Sequence, residues 1–140
     1  MVKLKKAKSK KLKKTKKKIK KKIFTKVPYG QIYLQSSFNN VVLTLTDEAG
    51  NTLDWVTAGS LGYKGTKKST PYAASLVGKA MAEKIIKRGI SELKIYISGV
   101  GQGRDAAARA LLASGANITS IVDITPIPHN GCRPKKPRRV

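Results

Sequence analysis

The sequence is poor in acid, in cysteine and in long apolar runs, and each shortage excludes something. Only seven of its 140 residues are Asp or Glu, none before Asp47, against 30 Lys and Arg, for a formal net charge of +23. Those acids (Asp47, Glu48, Asp54, Glu83, Glu92, Asp105 and Asp123) are scattered, without the converging carboxylates that metal-dependent hydrolysis needs. A lone cysteine, Cys132, excludes an internal disulfide and suits a reducing compartment. With the single histidine, His129, it makes two possible ligands, too few for a structural zinc site, and a Cys–His nucleophile pair there has no scaffold to orient it. No apolar run approaches the roughly 20 residues that span a bilayer, and no apolar stretch follows the charged N-terminus as in a secretory signal. Neither an enzyme, a cofactor, a metal nor a membrane is expected.

What is present is cationic charge, unevenly placed. Fifteen lysines stand in the first 26 residues, five cations stand after Cys132, and the ten between them meet all seven acids. A near-neutral body of residues 27–125 therefore carries two basic appendages, 1–26 and 126–140. The first has too few apolar residues to fold alone and could reach roughly 85 Å if extended, against a radius of gyration of about 13 Å for a 100-residue body. Its charge run reads either as a solvated or localisation segment or as a polyanion-binding arm, with Lys16, Lys17, Lys18, Lys20, Lys21, Lys22 and Lys26 as candidate contacts.

Within the body, alternation predicts strands at Gln31–Ser36, Val41–Thr46 and Thr52–Ala58, joined by a Ser37-Phe38-Asn39-Asn40 turn and an Asp47–Asn51 hairpin loop. Trp55 is expected to pack in the core. Gly59–Thr70 is a glycine-spaced loop carrying Tyr63, Lys64, Gly65, Lys67 and Lys68, either an ordinary solvent loop or an RNA contact. Thr70-Pro71 opens a helix that Gly89 closes, with Ala73, Leu76, Val77, Ala80, Met81 and Ile85 inward and Lys79, Lys87 and Arg88 mainly outward. A fourth strand at Leu93–Ser98, an alanine-rich helix to Ser114 and a fifth strand at Ile118–Thr125 complete the order β-β-β-α-β-α-β. This is an α/β fold: an antiparallel meander extended by parallel strands, with the two helices on the faces.

That order resembles the ribonuclease H architecture, but the first strand, Gln31-Ile32-Tyr33-Leu34-Gln35, lacks the acid those nucleases place there. Between the fourth strand and second helix lies Gly99-Val100-Gly101-Gln102-Gly103-Arg104-Asp105. Its third glycine comes one residue early for a dinucleotide fingerprint, and it has no Gly-Lys-Ser/Thr of a nucleotide P-loop. Gly99, Gly101, Gly103 and Arg104 at a helix N-terminus can contact a phosphate or simply form a structural turn.

The final stretch, Pro126 to Val140, holds four prolines and five cations and no acid. No helix or central strand runs through it, so it reads as a stiff, extended basic arm laid along a polyanion. Here the residues carry a resemblance. Lys64 to Tyr72, the glycine turn, Ser36 to Asn40 and above all Asp123-Ile124-Thr125-Pro126-Ile127-Pro128-His129-Asn130-Gly131-Cys132-Arg133-Pro134 are similar to small-subunit ribosomal protein eleven, nearly continuously over residues 29–140. The Pro-His-Asn-Gly-Cys-Arg-Pro tail is typical of its bacterial and organellar branch. Ser98 and Val100 depart from its usual lysine and proline, and the lysine arm is longer than usual.

The resemblance implies a structural component of the small-subunit platform near the exit site, messenger path and Shine–Dalgarno cleft. It implies ribosomal RNA as partner and small-subunit proteins seven and eighteen as neighbours, in a bacterial cytoplasm or an organelle. The candidate RNA contacts are then the arm lysines, Asn39, Asn40, Tyr63, Lys64, Gly65, Lys67, Lys68, Gly99, Gly101, Gly103, Arg104, His129, Asn130, Gly131, Cys132, Arg133, Lys135, Lys136, Arg138 and Arg139. A free-standing basic nucleic-acid chaperone is the competing reading, with a nuclease third.

Overall fold

The computed structural model describes residues 27–136, so the lysine arm and the expectations placed on Arg138 and Arg139 lie outside the described residues. Strand alternation builds one mixed sheet. β1 (Tyr29–Ser36), β2 (Val41–Thr46) and β3 (Thr52–Thr57) form an antiparallel meander, and β4 (Glu92–Ser98) and β5 (Ile118–Asp123) run parallel to β1, in the order β3-β2-β1-β4-β5. This is the five-stranded arrangement expected from the sequence.

One face of the sheet makes the core. Ile32 and Leu34 of β1, Val41, Leu43 and Leu45 of β2, Val56 of β3, and Leu93, Ile95 and Ile97 of β4 are all buried on it. Both helices cover that face: α1 (Pro71–Arg88) packs on β2 and β3, α2 (Gly103–Ala113) packs on β1, and the two helices pack on each other. Both helices thus share one face of the sheet, a detail that their expected place on the sheet's faces left open. The other face is left open, with Tyr33 and Tyr96 stacked across it at a ring separation of 5.1 Å. The reason lies in the strands, whose alternate residues are apolar on one side only (Gln31, Tyr33 and Gln35 face away from Ile32 and Leu34).

α1 begins and ends on the expected signals. The Thr70 hydroxyl accepts a hydrogen bond from the Ala73 N–H (3.3 Å), Pro71 occupies the first turn, and Gly89 stops the helix at φ 70°. The tight meeting of the helices depends on small residues. A Cβ on Gly78 would lie 2.8 Å from both the Ala107 carbonyl oxygen and the Ala110 Cβ, so the axes approach as closely as backbone permits. Ala73, Ala74, Val77, Met81 and Ile85 are buried on α1, while Leu76 and Ala80 are half-buried.

Two side chains reverse the sequence expectation. Trp55 is 55% exposed rather than in the core, because its neighbours Asp54 and Val56 face the helices and it must point to the open face beside Thr44. Arg88, expected outside, is buried. It donates to the Leu53 carbonyl (2.5 Å) and to Asp54 Oδ2 (3.2 Å), and Asp54 also holds Lys84 at 2.5 Å. The expected charge at the helix end is thus spent on fastening α1 to β3. β5 ends at Asp123, two residues short of the expected Thr125, although the Ile124 N–H still reaches the Ile97 carbonyl (2.8 Å).

Candidate nucleic-acid interface

Strands β1, β4 and β5 are parallel, so the segments that follow them leave the sheet at the same end. Those segments are the Ser37–Asn40 turn, the glycine turn and the start of the tail. Three stretches far apart in sequence are thereby brought together.

The glycine turn is built against the end of β1. Gly99 stands at φ 95°, the Gly101 N–H donates to the Ser36 carbonyl (3.0 Å), and any Cβ on Gly99 or Gly101 would run into the Ser36–Ser37 backbone. A Cβ on Gly103 would lie 2.6 Å from Val41 and 2.9 Å from Ala74. All three glycines are thus required by contacts within the chain itself, the structural role that the sequence left open beside phosphate contact.

Arg104 likewise turns inward. Its guanidinium donates to the Gly99 carbonyl (3.0 Å) and pairs with Asp123. Asp123 accepts from the Thr125 hydroxyl (2.6 Å) and N–H (2.9 Å), and the Thr125 hydroxyl oxygen accepts from the Gly99 N–H (3.1 Å). The Thr125 hydroxyl and N–H, then Arg104, hold the Asp123 carboxyl down at about 2. This latch fixes where the tail leaves the body. Nothing in the spacing of these four residues announces it, since Asp123 lies 19 positions from Arg104.

Beyond the latch every residue from Pro126 to Lys136 is exposed, including His129, Asn130, Gly131, Cys132, Arg133, Lys135 and Lys136. Asn130 takes φ 53°, a left-handed conformation that Asn tolerates better than most residues. The loop after β3 folds into a short 3-10 helix, Gly65–Ser69, with Tyr63 half-buried against the core and Lys64 and Lys67 exposed. Its Ser69 lines a cleft with Phe38 and Gln102, which sets this basic loop beside the first turn and the glycine turn. Phe38, 71% exposed, is a residue the sequence reading passed over as mere turn chemistry. Asn39 is exposed and Asn40 half-buried, their N–H groups bonded to the Ser37 hydroxyl (3.4 and 3.1 Å).

Among the described residues, the cations paired with acids all lie on the two helices. Asp54 takes Lys84 and Arg88, Asp123 takes Arg104, and Glu83 meets Lys87 at 4.0 Å. Lys64, Lys67, Lys68, Arg133, Lys135 and Lys136 have no acidic partner among the described residues. Also among the described residues, no three His, Cys, Asp or Glu side chains come together as a metal site, and no helix is long and apolar enough to cross a membrane. The surface so built offers unpaired cations, an exposed aromatic ring and an extended proline-rich tail at one end of a rigid sheet. Such a surface suits phosphate backbones and unstacked bases. The family model for Ribosomal protein S11 matches residues 30–139, which takes in nearly all of the sheet, both helices and the tail. The chain therefore belongs to that family, as a structural, RNA-binding component of the small ribosomal subunit that serves translation alongside ribosomal RNA and other ribosomal proteins.

Proposed function

We propose that this chain is a platform protein of the small subunit, lying near the exit site, the messenger path and the Shine–Dalgarno cleft, with small-subunit proteins seven and eighteen as neighbours. The observation that carries the reading is the tail, whose residues Pro126–Lys136 are all exposed yet start from a hydrogen-bonded latch. A segment with a fixed origin and no packing of its own takes its path from a partner. Arg133, Lys135 and Lys136, with Arg138 and Arg139 after them, supply phosphate contacts, and the prolines limit the entropy lost when the tail is laid down.

Lys64, Lys67 and Lys68 form a second contact at the same end, with Gly65, Asn39, Asn40 and Phe38 beside them. Lys16, Lys17, Lys18, Lys20, Lys21, Lys22 and Lys26 add a third, distributed one. Gly99, Gly101, Gly103 and Arg104 serve by holding these contacts in place. The tail sequence favours a bacterial or organellar ribosome.

Cys132, the only cysteine, provides the test. An iron chelate tethered to it in assembled small subunits is expected to cleave ribosomal RNA of the platform near the exit site. Cleavage confined to the head or the lower body of the subunit would overturn the placement.

A further inference from the structure

The two edges of the sheet are finished differently. On β3, Arg88 donates to the Leu53 carbonyl (2.5 Å) and Lys84 to the Trp55 carbonyl (2.9 Å), while Asp54 accepts from the Trp55 N–H (3.1 Å). The Ser60 hydroxyl accepts from the Thr57 N–H (3.1 Å) and donates to its carbonyl (2.8 Å). These backbone groups of alternate residues are the ones a further strand would use, and side chains occupy them. Blocking of this kind guards an edge against unwanted pairing.

β5 has no such guard. The bond from the Ile124 N–H to Ile97 sets the phase of the ladder. In a parallel pair alternate residues turn both backbone groups to the same neighbour, so Val122 and Ile124 face β4, and Ile121 and Asp123 face outward. Among the described residues nothing bonds the N–H or carbonyl of either. The strand reads Ile-Thr-Ser-Ile-Val-Asp, with no lysine or proline to deter pairing. Ile121, in the row of Ile32 and Ile95, is 49% exposed, and Val122, in the row of Tyr33 and Tyr96, is 42% exposed. Both apolar rows reach this edge unfinished.

We propose that the free edge of β5 receives an extended segment of another polypeptide, which adds to the sheet as a sixth strand. Alternating donors and acceptors along the edge match a peptide backbone. An RNA backbone offers phosphate oxygens to the N–H groups but sets the same negative oxygens against the carbonyls. A second copy of this chain is disfavoured by charge, since each brings a net +23. The partner is thus a neutral or acidic segment with apolar residues opposite Ile121 and Val122. Within the subunit such a segment belongs to a neighbouring protein, so the inference rests on membership of that particle, and it goes beyond the RNA contacts placed at the other features.

The test uses the full chain in assembled small subunits, with a benzophenone side chain placed at Thr119 on the exposed part of β5. The expected product is a cross-link to a different polypeptide that survives ribonuclease digestion. Amide exchange at Ile121 and Asp123 is expected to slow by at least about tenfold on assembly. Ile121→Pro removes one outward N–H at an edge position that tolerates proline, and is expected to abolish the cross-link while the chain still sediments with the subunit. Ile121→Lys, which leaves the backbone intact, is expected to weaken it and covers the case in which the proline variant does not fold. Cross-linking only to RNA or to a second copy, or amides that exchange as fast as in the free chain, would overturn the proposal. If cleavage from Cys132 still maps to the platform in the same particles, that failure touches the edge alone and not the placement.

Discussion

Gly99→Ala separates the two roles a glycine turn can have. At φ 95° an alanine is strained, at about 1–2 kcal/mol. Its Cβ would lie 3.0 Å from the Ser36 carbonyl carbon and nearer still to the oxygen, so the end of β1 must move, at about 1–3 kcal/mol. That same carbonyl accepts the Gly101 N–H at 3.0 Å, a bond worth about 0.5–1.5 kcal/mol. The sum is about 2.5–6.5 kcal/mol of lost stability, without RNA present. With a urea slope of about 2 kcal/mol/M the unfolding midpoint of the full chain should fall by about 1–3 M. Gly62→Ala is the control. It stands at φ 91° with nothing within 4 Å of a Cβ, so only the strain of about 1–2 kcal/mol applies. Equal midpoints for the two variants, with RNA affinity lost only in Gly99→Ala, would refute the argument and return the turn to direct ligand contact.

Other consequences are sharp enough to measure. Trp55→Ala, at an exposed site, should cost less than about 1.5 kcal/mol by urea denaturation, against about 3–5 for a buried tryptophan. Arg88→Ala should cost about 2–4 kcal/mol by the same assay, because it removes a buried donor from the Leu53 carbonyl and half the charge facing Asp54. The Asp123 carboxyl is held at about 2 against an ordinary 3.8, so its contribution to stability is complete above pH 4 and disappears as pH falls toward 2. Wild type should therefore show a larger acid-dependent loss in that window than Asp123→Asn, which keeps only the share of the other lowered carboxyls, Asp47 and Asp54. Replacing Lys64, Lys67 and Lys68 together with alanine should make the log–log salt slope of RNA binding shallower by about 2–3 and leave the stability measured in urea within about 0.5 kcal/mol of wild type.

Features set by neighbours in sequence were legible, and those set by distant partners were not. Thr70-Pro71 and Gly89 bound α1 because capping is decided within a turn, and Val41–Thr46 declared its buried face because alternation has one phase. The phase of β3 was ambiguous because it is an edge strand whose Trp55 can be hydrophobic on either side. Only its pairing with β2 settles the matter. Arg88 looked like a solvent cation at a helix end because its acceptor, Leu53, lies 35 residues away. The alanine-rich composition of α2 was visible, but its fit against Gly78 was not, since small residues reveal a close contact only when both helices are placed. In the candidate site the tail was legible as chain without helix or strand, because its prolines decide that locally. The inward turn of Arg104 was hidden, because Asp123 reaches it only through the parallel pairing of β4 and β5.

On the proposed reading RNA is gripped by the cations of the two appendages and one loop, while the sheet and its glycine turn act as the frame. Titration of the full chain with a platform fragment of small-subunit ribosomal RNA, repeated across a range of monovalent salt, tests this most directly. If about ten of these cations each meet a phosphate, the log–log slope of affinity against salt is on the order of −7 to −9. A slope no steeper than about −2 would contradict the account and move the binding to the frame.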